Sequence, residues 1–311
     1  MVLLTANRYE VFNRLAERPK GASDLAAECG ANPRSFEMLL NACVAHKLLQ
    51  KKDGLFSNTE VTAAFMVRGR PAYLGDALRY ATDLFPIWGQ LPEAVKTGRP
   101  QLDPEKILGT DPAKTRNFIL GMHNRAEGIA ASLACALDLN GYKRMLDVGG
   151  GSGTYSIKLV QKTPGLTSAV MDFPAVTAIA QEIIAGYKLS DRVSTVVGNY
   201  HDERYPTGND VVLMSGMMHR EVPEVCRALL RKANAAMDSG GMVVVVDVFC
   251  DDDSHVTPAF ATLFALNMML TSENGSAHAI TEMADWMLQT GFKDVQVRPL
   301  PMSHSVIFAR K

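Results

Sequence analysis

A glycine-rich turn stands near the middle of the 311-residue chain, directly after an apolar run and before a helical pattern. It reads Asp147-Val148-Gly149-Gly150-Gly151-Ser152-Gly153. Glycine lets the backbone turn tightly and approach a ligand without a Cβ in the way. The order of strand, glycine turn and helix therefore predicts a cofactor loop. We assign four of its residues to the cofactor: Asp147, Gly149, Gly151 and Gly153.

The spacing of these glycines separates two classes of cofactor. A dinucleotide fingerprint requires GxGxxG, whereas the glycines here run GxGxG and position 154 is a threonine. The mismatch argues against a pyrophosphate ligand. The acidic Asp147 ahead of the turn favours a cofactor that carries a positive amino group.

Polar residues also follow the next two apolar runs. Asp172 comes 19 residues after Gly153, where a carboxylate at a strand tip can accept hydrogen bonds from ribose hydroxyls. The alternative is a turn residue before Pro174. Asn199 follows the third run and is a candidate for the adenine side, and the adjacent Tyr200 is assigned to the same cofactor site.

The elements that must position these residues alternate between apolar runs and helical patterns. The apolar runs are 145–148, 168–171, 193–197, 211–214 and 243–248. This alternation predicts crossover units and a mainly parallel, buried sheet. Two further candidate strands, 295–299 and 305–309, follow one another without a helix, so we expect an antiparallel pair to close the sheet.

The first 70 residues show a different pattern, in which helices precede a hairpin. Asn32 and Pro33 begin an amphipathic helix, and Asp53-Gly54 after it lies between two short runs, which is a strong hairpin signal. Helices followed by a two-stranded wing predict a winged-helix module at 1–70. We place a helical connector at 71–139, broken between Gly98 and Pro104, and the α/β domain at 140–311.

The composition narrows the class of protein. Hydrophobic residues make up 47% and charged residues 21%, and no apolar run approaches the roughly 20 residues of a membrane span. Five scattered cysteines without a CxxC pair suggest reduced thiols and a cytoplasmic location. Because 32 basic residues balance 33 acidic ones, we expect neither a nucleic acid nor a membrane as partner.

An acidic run, Asp251-Asp252-Asp253 with His255, suggests a site for a hard cation, which favours several oxygen ligands. Adjacent residues seldom converge on one ion, however. We therefore predict no metal.

Four stretches resemble the plant-type or hydroxyindole-type small-molecule O-methyltransferases. They are Leu146 to Gly153, Met171-Asp172-Phe173-Pro174-Ala175-Val176, Asp191-Arg192-Val193 with Gly198, and Asp238-Ser239-Gly240-Gly241. The likeness covers nearly the whole chain. It implies an α/β fold of the class I methyltransferase type, Rossmann-like, with a seven-stranded, mostly parallel sheet behind the winged-helix domain. It also implies S-adenosylmethionine as methyl donor and a homodimer formed by the front end.

The resemblance further implies a catalytic histidine after the fourth strand, and His219 occupies that position. An imidazole, with an ordinary pKa of about 6.5, can accept a proton from a hydroxyl at the carboxyl edge of the sheet. Asp247 stands where the family has a glutamate, and a carboxylate there can fix the tautomer of the histidine. Ser215 is assigned to the edge of the cofactor site.

The chain departs from the family pattern at several points. Residues 275–281 lack the second acidic partner, so either His278 substitutes for it or the role is absent. The usual Asp-Trp after the histidine is Arg220-Glu221. Little precedes the helix at Leu3, so we expect one dimerisation helix to be missing.

An apolar wall for the acceptor is expected around residues that the fold brings near the pocket, because methionine suits an adaptable surface. The candidates are Phe118, Met122, Met218, Phe264 and Met268. We predict methyl transfer to the hydroxyl of a small, aromatic molecule. Transfer to nitrogen or carbon is an alternative, as is a cofactor-sensing winged-helix regulator, although residues 1–70 hold only ten basic against seven acidic side chains.

Overall fold

The computed structural model describes residues 1–102, 108–201 and 204–311, and the chain divides into two units, Met1–Pro86 and Ile87–Lys311. Six short helices and three short strands occur in the first unit. They are α1 (Val2–Arg8), α2 (Val11–Arg14), β1 (Lys20–Gly21), α3 (Ala22–Glu28), α4 (Pro33–Ala45), β2 (Leu49–Lys52), β3 (Leu55–Asn58), α5 (Glu60–Phe65) and α6 (Gly75–Trp88), which ends just inside the second unit.

Local signals explain the core of this unit. Asn32 caps α4 by accepting a hydrogen bond from the backbone N–H of Ser35 at 3.1 Å. At the hairpin turn, both Asp53 (φ 51°) and Gly54 (φ 80°) take left-handed conformations, as a two-residue turn that joins twisted strands requires. The predicted winged-helix arrangement is confirmed, with a two-residue strand, β1, added beside β3.

The second unit alternates strands with helices. Its elements are α7 (Leu91–Thr97), α8 (Pro112–Ala136), β4 (Arg144–Val148), α9 (Thr154–Lys162), β5 (Thr167–Asp172), α10 (Pro174–Gly186), β6 (Val193–Val197), β7 (Asn209–Ser215), a 3-10 turn (Met218–Arg220), α11 (Pro223–Ala236), β8 (Met237–Val248), α12 (Ala259–Thr271), α13 (Ile280–Gln289), β9 (Lys293–Leu300) and β10 (His304–Arg310).

The strands form one seven-stranded sheet in the order β6-β5-β4-β7-β8-β10-β9. The first five are parallel, and β10 runs antiparallel between β8 and β9. The predicted fold class, including the closing antiparallel pair, is confirmed. The chain moves from β4 to one side of the sheet and then returns to β7 on the other. Such a reversal opens a crevice at the carboxyl ends of these two strands.

Both faces of the central strands are covered, because alternate residues pack on opposite layers. Met145 and Val244 belong to the core shared with α8, α9 and α10, whereas Leu146 and Val243 belong to the core shared with α11 and α13. The apolar runs of the sequence reflect this double burial.

One strand boundary differs from the sequence-based expectation, and the domain bounds stay a prediction. Strand β8 begins at Met237 rather than at Val243, because Gly240 (φ 81°) permits an irregularity that keeps residues 238–241 in the strand. The predicted connector at 71–139 is divided between the two units. Helix α7 ends at Thr97 and is capped by Gly98, at the start of the predicted break, but Pro104 at the far end of that break lies outside the described residues. Of the helices described, none is both long and apolar enough to span a membrane.

Candidate active site

The glycine loop lies between β4 and α9, at the carboxyl edge of the sheet. Gly149, Gly151 and Gly153 adopt φ angles of 63°, 56° and 70°, a region in which residues with a Cβ are strained. A Cβ built on Gly151 would meet no heavy atom of the described residues within 4 Å. The loop therefore presents an open face at Gly151.

Asp147 lies beneath this loop. A Cβ on Gly150 would stand 2.6 Å from Cγ of Asp147, and the carboxylate is fully buried. Its Oδ2 accepts a hydrogen bond from Ser156 Oγ at 2.6 Å, while Oδ1 has no partner within the described part of the chain. Burial raises the pKa of Asp147 to about 7, against the effect of the Ser156 hydrogen bond. Asp147 thus lies beneath the loop in a setting that favours its neutral form, and its part in holding a cofactor stays a prediction.

Asp172 ends β5 beside the open face. Its Oδ2 accepts a hydrogen bond from the backbone N–H of Gly151 at 2.9 Å, and its Oδ1 accepts one from Phe173 N–H at 2.7 Å. Burial raises the pKa of Asp172, and these two amide bonds oppose the rise. The structure thus joins the glycine loop and the strand-tip carboxylate that the sequence analysis had singled out separately.

Tyr200 packs over the first glycine of the loop. A Cβ on Gly149 would lie 3.6 Å from Cδ1 of Tyr200. The Tyr200 hydroxyl donates to Oε1 of Glu221 at 2.9 Å, and Nε2 of His201 lies 3.1 Å from the same oxygen. Burial raises the pKa of Tyr200, and the Glu221 carboxylate raises it further, so the ring is a neutral phenol that donates. Glu221 was not among the sequence candidates.

The two remaining predicted cofactor residues flank this group. Asn199 Oδ1 accepts a hydrogen bond from the backbone N–H of His201 at 2.9 Å, which shapes the turn before Tyr200. Ser215 is buried at the carboxyl end of β7. Their contact with a cofactor stays a prediction.

His219 and Asp247 form a hydrogen-bonded pair. Nδ1 of His219 lies 2.7 Å from Oδ1 of Asp247, and the backbone N–H of His219 donates to Oδ2 at 3.2 Å. The side chains are 11% and 3% exposed. Strands β7 and β8 are neighbours, so the turn after β7 meets the end of β8 at the carboxyl edge.

The charge state of Asp247 fixes the imidazole tautomer. Burial alone would raise the pKa of Asp247, but the charge of His219 and its hydrogen bond outweigh burial and hold this pKa below its usual range. An ionised carboxylate can only accept hydrogen bonds, so Nδ1 of His219 carries the proton. In the neutral imidazole Nε2 then offers a lone pair, and no described residue bonds it. A general base needs such an accessible lone pair, and the role of His219 as base stays a prediction.

Of the predicted apolar wall, Phe264 on α12 lies against the histidine. Its ring meets the His219 imidazole edge to face, with the ring centroids 4.9 Å apart. Phe260, which the sequence analysis did not single out, stacks on Phe264 at 6.4 Å and is 41% exposed. These rings provide an apolar surface beside the proposed base.

The other four wall candidates lie elsewhere in the packing. Met218 is fully buried in the core beneath the sheet edge, and Met268 is buried on α12. Phe118 packs against the cluster of Ile119, Val176 and Ile179, and Met122 is half-buried on α8. Their contact with an acceptor stays a prediction.

A second histidine lies near the pair and was missed at the sequence level. His304 begins β10, where the strand register pairs it with Val248, the residue after Asp247. Burial lowers the pKa of His304, and the charges of Arg125 and His219 lower it further, against the effects of the Met302 carbonyl and Asp247. His304 could have been found only by predicting the register of β10 against β8, which places it opposite Val248, next to Asp247.

In the acidic run after β8, Asp252 and Asp253 accept hydrogen bonds from nearby residues. Asp252 Oδ1 accepts from the backbone N–H of Ser254 at 2.9 Å, and Asp253 accepts from Thr281 Oγ1. Across the residues described, no cluster of three histidine, cysteine or acidic side chains has the arrangement of a metal site.

Comparison with known proteins identifies the family to which the chain belongs. Residues 88–293 match an O-methyltransferase domain, and residues 1–68 match an O-methyltransferase dimerisation domain. A 3-hydroxy-5-methyl-1-naphthoate 3-O-methyltransferase from Streptomyces sahachiroi is 32% identical, over 92% of this chain and 84% of the relative. The tetracenomycin polyketide synthesis 8-O-methyl transferase TcmO from Streptomyces glaucescens is 30% identical, over 99% of this chain and 92% of the relative.

A solved structure of PigF with SAH, the demethylated form of S-adenosylmethionine, superposes with a TM-score of 0.89 at 25% identity, over 100% of this chain and 95% of that one. PigF of Serratia sp. (strain ATCC 39006) is named an S-adenosyl-L-methionine-dependent methyl transferase. These findings agree with the predicted donor, and the matched family is one of enzymes. The chain belongs to the O-methyltransferase family.

Proposed function

We propose that this enzyme transfers a methyl group from S-adenosylmethionine to a hydroxyl of a small aromatic molecule, with His219 as the general base. The observation that carries the proposal is the 2.7 Å bond between Nδ1 of His219 and Asp247, which leaves Nε2 unpartnered among the described residues. The naphthoate named for one relative supports an aromatic acceptor. The T-shaped contact of Phe264 supports an apolar ring beside the base.

The residues present fit the donor. The open face at Gly151 leaves the backbone of the loop accessible to a ligand, and Asp172 offers a carboxylate at the position expected for ribose hydroxyls. Asp147 lies under the loop with Oδ1 unpartnered among the described residues, and its ionised form would favour a ligand with an ammonium group. When bound, S-adenosylmethionine supplies a methyl group already activated on a sulfonium.

The protein's own residues then contribute position and proton transfer. His219 Nε2 accepts the hydroxyl proton while the acceptor oxygen forms its bond to the methyl carbon, and the carbon–sulfur bond breaks. Asp247 stabilises the resulting imidazolium because its carboxylate is already bonded to Nδ1–H. General-base catalysis of this kind typically contributes about 10²- to 10⁴-fold. Residues that hold the donor and the acceptor close together would lower the barrier further.

Incubation with methyl-labelled S-adenosylmethionine and a panel of naphthols, hydroxynaphthoates, hydroxyindoles and aromatic amines tests the proposal. We expect label on the oxygen of at least one hydroxylated ring, measured by mass spectrometry of the products. His219→Ala should slow transfer to a hydroxyl at least about 10-fold more than transfer to a matched amine, because a neutral amine attacks without prior proton removal. Equal transfer to the amines, or transfer only to them, would contradict the proposed acceptor.

A homodimer formed by the first unit is the proposed assembly. The match of residues 1–68 to a dimerisation domain supports it. Large apolar side chains of this unit are also exposed in the single chain, among them Met38 (64%), Val61 (63%) and Phe65 (41%). We expect sedimentation velocity at micromolar concentration to give twice the chain mass of 33.8 kDa. A single species at the chain mass would refute the dimer.

A cytoplasmic location is proposed as well. It is supported by five free cysteines, of which Cys43, Cys226 and Cys250 are buried as thiols.

A further inference from the structure

The turn that carries the proposed base is short, and its own backbone hydrogen bonds are too few to fix its conformation. Met218–Arg220 form one 3-10 turn, closed internally by Arg220 N–H to Met217 O and Glu221 N–H to Met218 O, each at 3.1 Å. A single turn of this kind leaves most of its carbonyls without partners from its own backbone. Buried carbonyls must therefore be satisfied from outside the turn.

His278 supplies the external donor. Its Nε2 lies 3.0 Å from the carbonyl oxygen of Met218 and 3.0 Å from that of Glu221, the two carbonyls on either side of His219 and Arg220. Carbonyl oxygens only accept hydrogen bonds, so Nε2 of His278 carries a hydrogen and donates to both. One N–H group thus bridges the two ends of the turn.

Neighbouring groups reinforce the same turn. Cys226 Sγ lies 3.5 Å from Met218 O and 3.7 Å from Glu221 O, as a weaker donor to the same pair of carbonyls. The backbone N–H of Ser276 donates to the carbonyl of His219 at 2.8 Å. The segment 276–278 therefore contacts the backbone of the turn at three carbonyls.

His278 is itself held in place by the elements around it. The side chain is buried, and its ring meets the Trp286 ring edge to face with centroids 4.9 Å apart. Its backbone carbonyl accepts from Cys250 N–H at 2.9 Å, three residues beyond Asp247 at the end of β8. The position of His278 is thereby tied to the strand that carries the partner of the base.

From this geometry we infer that His278 is a positioning residue, which sets the direction of the His219 imidazole by clamping the carbonyls of Met218 and Glu221. The inference rests on the proposed function of His219. The nitrogen that donates, Nε2, bonds the backbone of the turn and not the His219 ring, whose described side-chain bond is to Asp247. His278 therefore does not reproduce an acidic partner of the imidazole and acts through the main chain instead.

A double-mutant cycle separates positioning from general stability. We expect His278→Ala to lower kcat about 10- to 100-fold in the native background, since a shift of about 1 Å at a reacting group has effects of this size. In the His219→Ala background the same change should lower the residual rate less than about twofold, because no base is left to misplace. Affinity for S-adenosylhomocysteine, measured by calorimetry, should stay within about twofold in every variant.

A matched pair of amides tests the donor directly. Glutamine places its amide nitrogen near the Nε2 position of histidine, whereas asparagine places it near Nδ1. We expect His278→Gln to retain kcat within about threefold and His278→Asn to fall to the level of His278→Ala, with similar melting temperatures for the two amides. Since both amides are polar and buried alike, this pair also gives an answer if His278→Ala fails to fold.

Equal kcat for the Gln and Asn variants would overturn the inference, as would an equal loss from His278→Ala in both backgrounds. Failure of the proposed function has a different signature. In that case His219→Ala would itself keep near-native turnover, and the assignment of His278 would fall together with the base.

Discussion

Replacing His219 by alanine is expected to lower kcat about 10²- to 10⁴-fold while the affinity for S-adenosylhomocysteine stays within about twofold. The two effects separate because different residues carry them. The proton acceptor is Nε2 of His219, whereas Gly151 and Asp172 form the open face proposed for the donor. Steady-state turnover with labelled S-adenosylmethionine measures kcat, and calorimetry measures the affinity.

His46→Ala is the matched control for this variant. His46 is an exposed histidine at the end of α4 in the first unit, outside the proposed site. Its replacement should leave kcat within about twofold. If His219→Ala also kept near-native turnover on the preferred acceptor, proximity alone would carry the reaction and the base would be misassigned. Loss of cofactor binding in His219→Ala would instead show that this residue holds the donor.

Replacing Gly151 by valine is expected to weaken binding of S-adenosylhomocysteine at least about 100-fold. A β-branched residue strongly disfavours the φ of 56° at this position, so the loop would have to move. The valine side chain would also fill the open face, and the movement would disturb the 2.9 Å bond from Gly151 N–H to Asp172. Calorimetry with the purified variant measures the loss.

Gly128→Ala provides the control for Gly151→Val. Gly128 lies within α8, and a Cβ there would meet no described heavy atom within 4 Å. Alanine should therefore raise the free energy of unfolding by about 0.5–1 kcal/mol and leave ligand affinity unchanged. Near-native affinity in Gly151→Val would mean that the donor binds away from the glycine loop.

The sheet and the loop were predictable because local patterns determine them. Strands buried on both faces leave continuous apolar runs, and the left-handed angles at Gly149, Gly151 and Gly153 demand glycine, so both features are visible in the residue types alone. Asp172 ends a parallel strand and His219 follows one, so the strand order places both at the carboxyl edge of the sheet.

The contacts that complete the site depend on long-range packing. Nε2 of His278 meets a carbonyl 60 residues away in the chain, and Glu221 meets Tyr200 across 21 residues. No spacing rule links such positions, because helices α11 and α13 must first pack on the sheet. Met218 shows the same limit, since the residue type alone does not tell whether an apolar side chain next to the proposed base packs in the core, where Met218 is buried, or also lines a pocket.

The direction of the Asp147 side chain beneath the glycine loop could not be predicted from the local sequence either. An acidic residue before a glycine turn indicates a ligand with positive charge, but whether its carboxylate faces the ligand depends on the side of the strand it occupies. Asp147 lies beneath Gly150 and bonds Ser156, and its contact with a cofactor stays a prediction.

The pH dependence of the single-turnover rate, compared between the native enzyme and His219→Ala, tests the central claim most directly. A base must be unprotonated to accept the hydroxyl proton, so the native rate should fall about 10-fold per pH unit on the acid side of the profile. The His219→Ala rate should be low and show no such acid limb. An acid limb of the same position and slope in both proteins would contradict the assignment of His219 as the group that removes the proton.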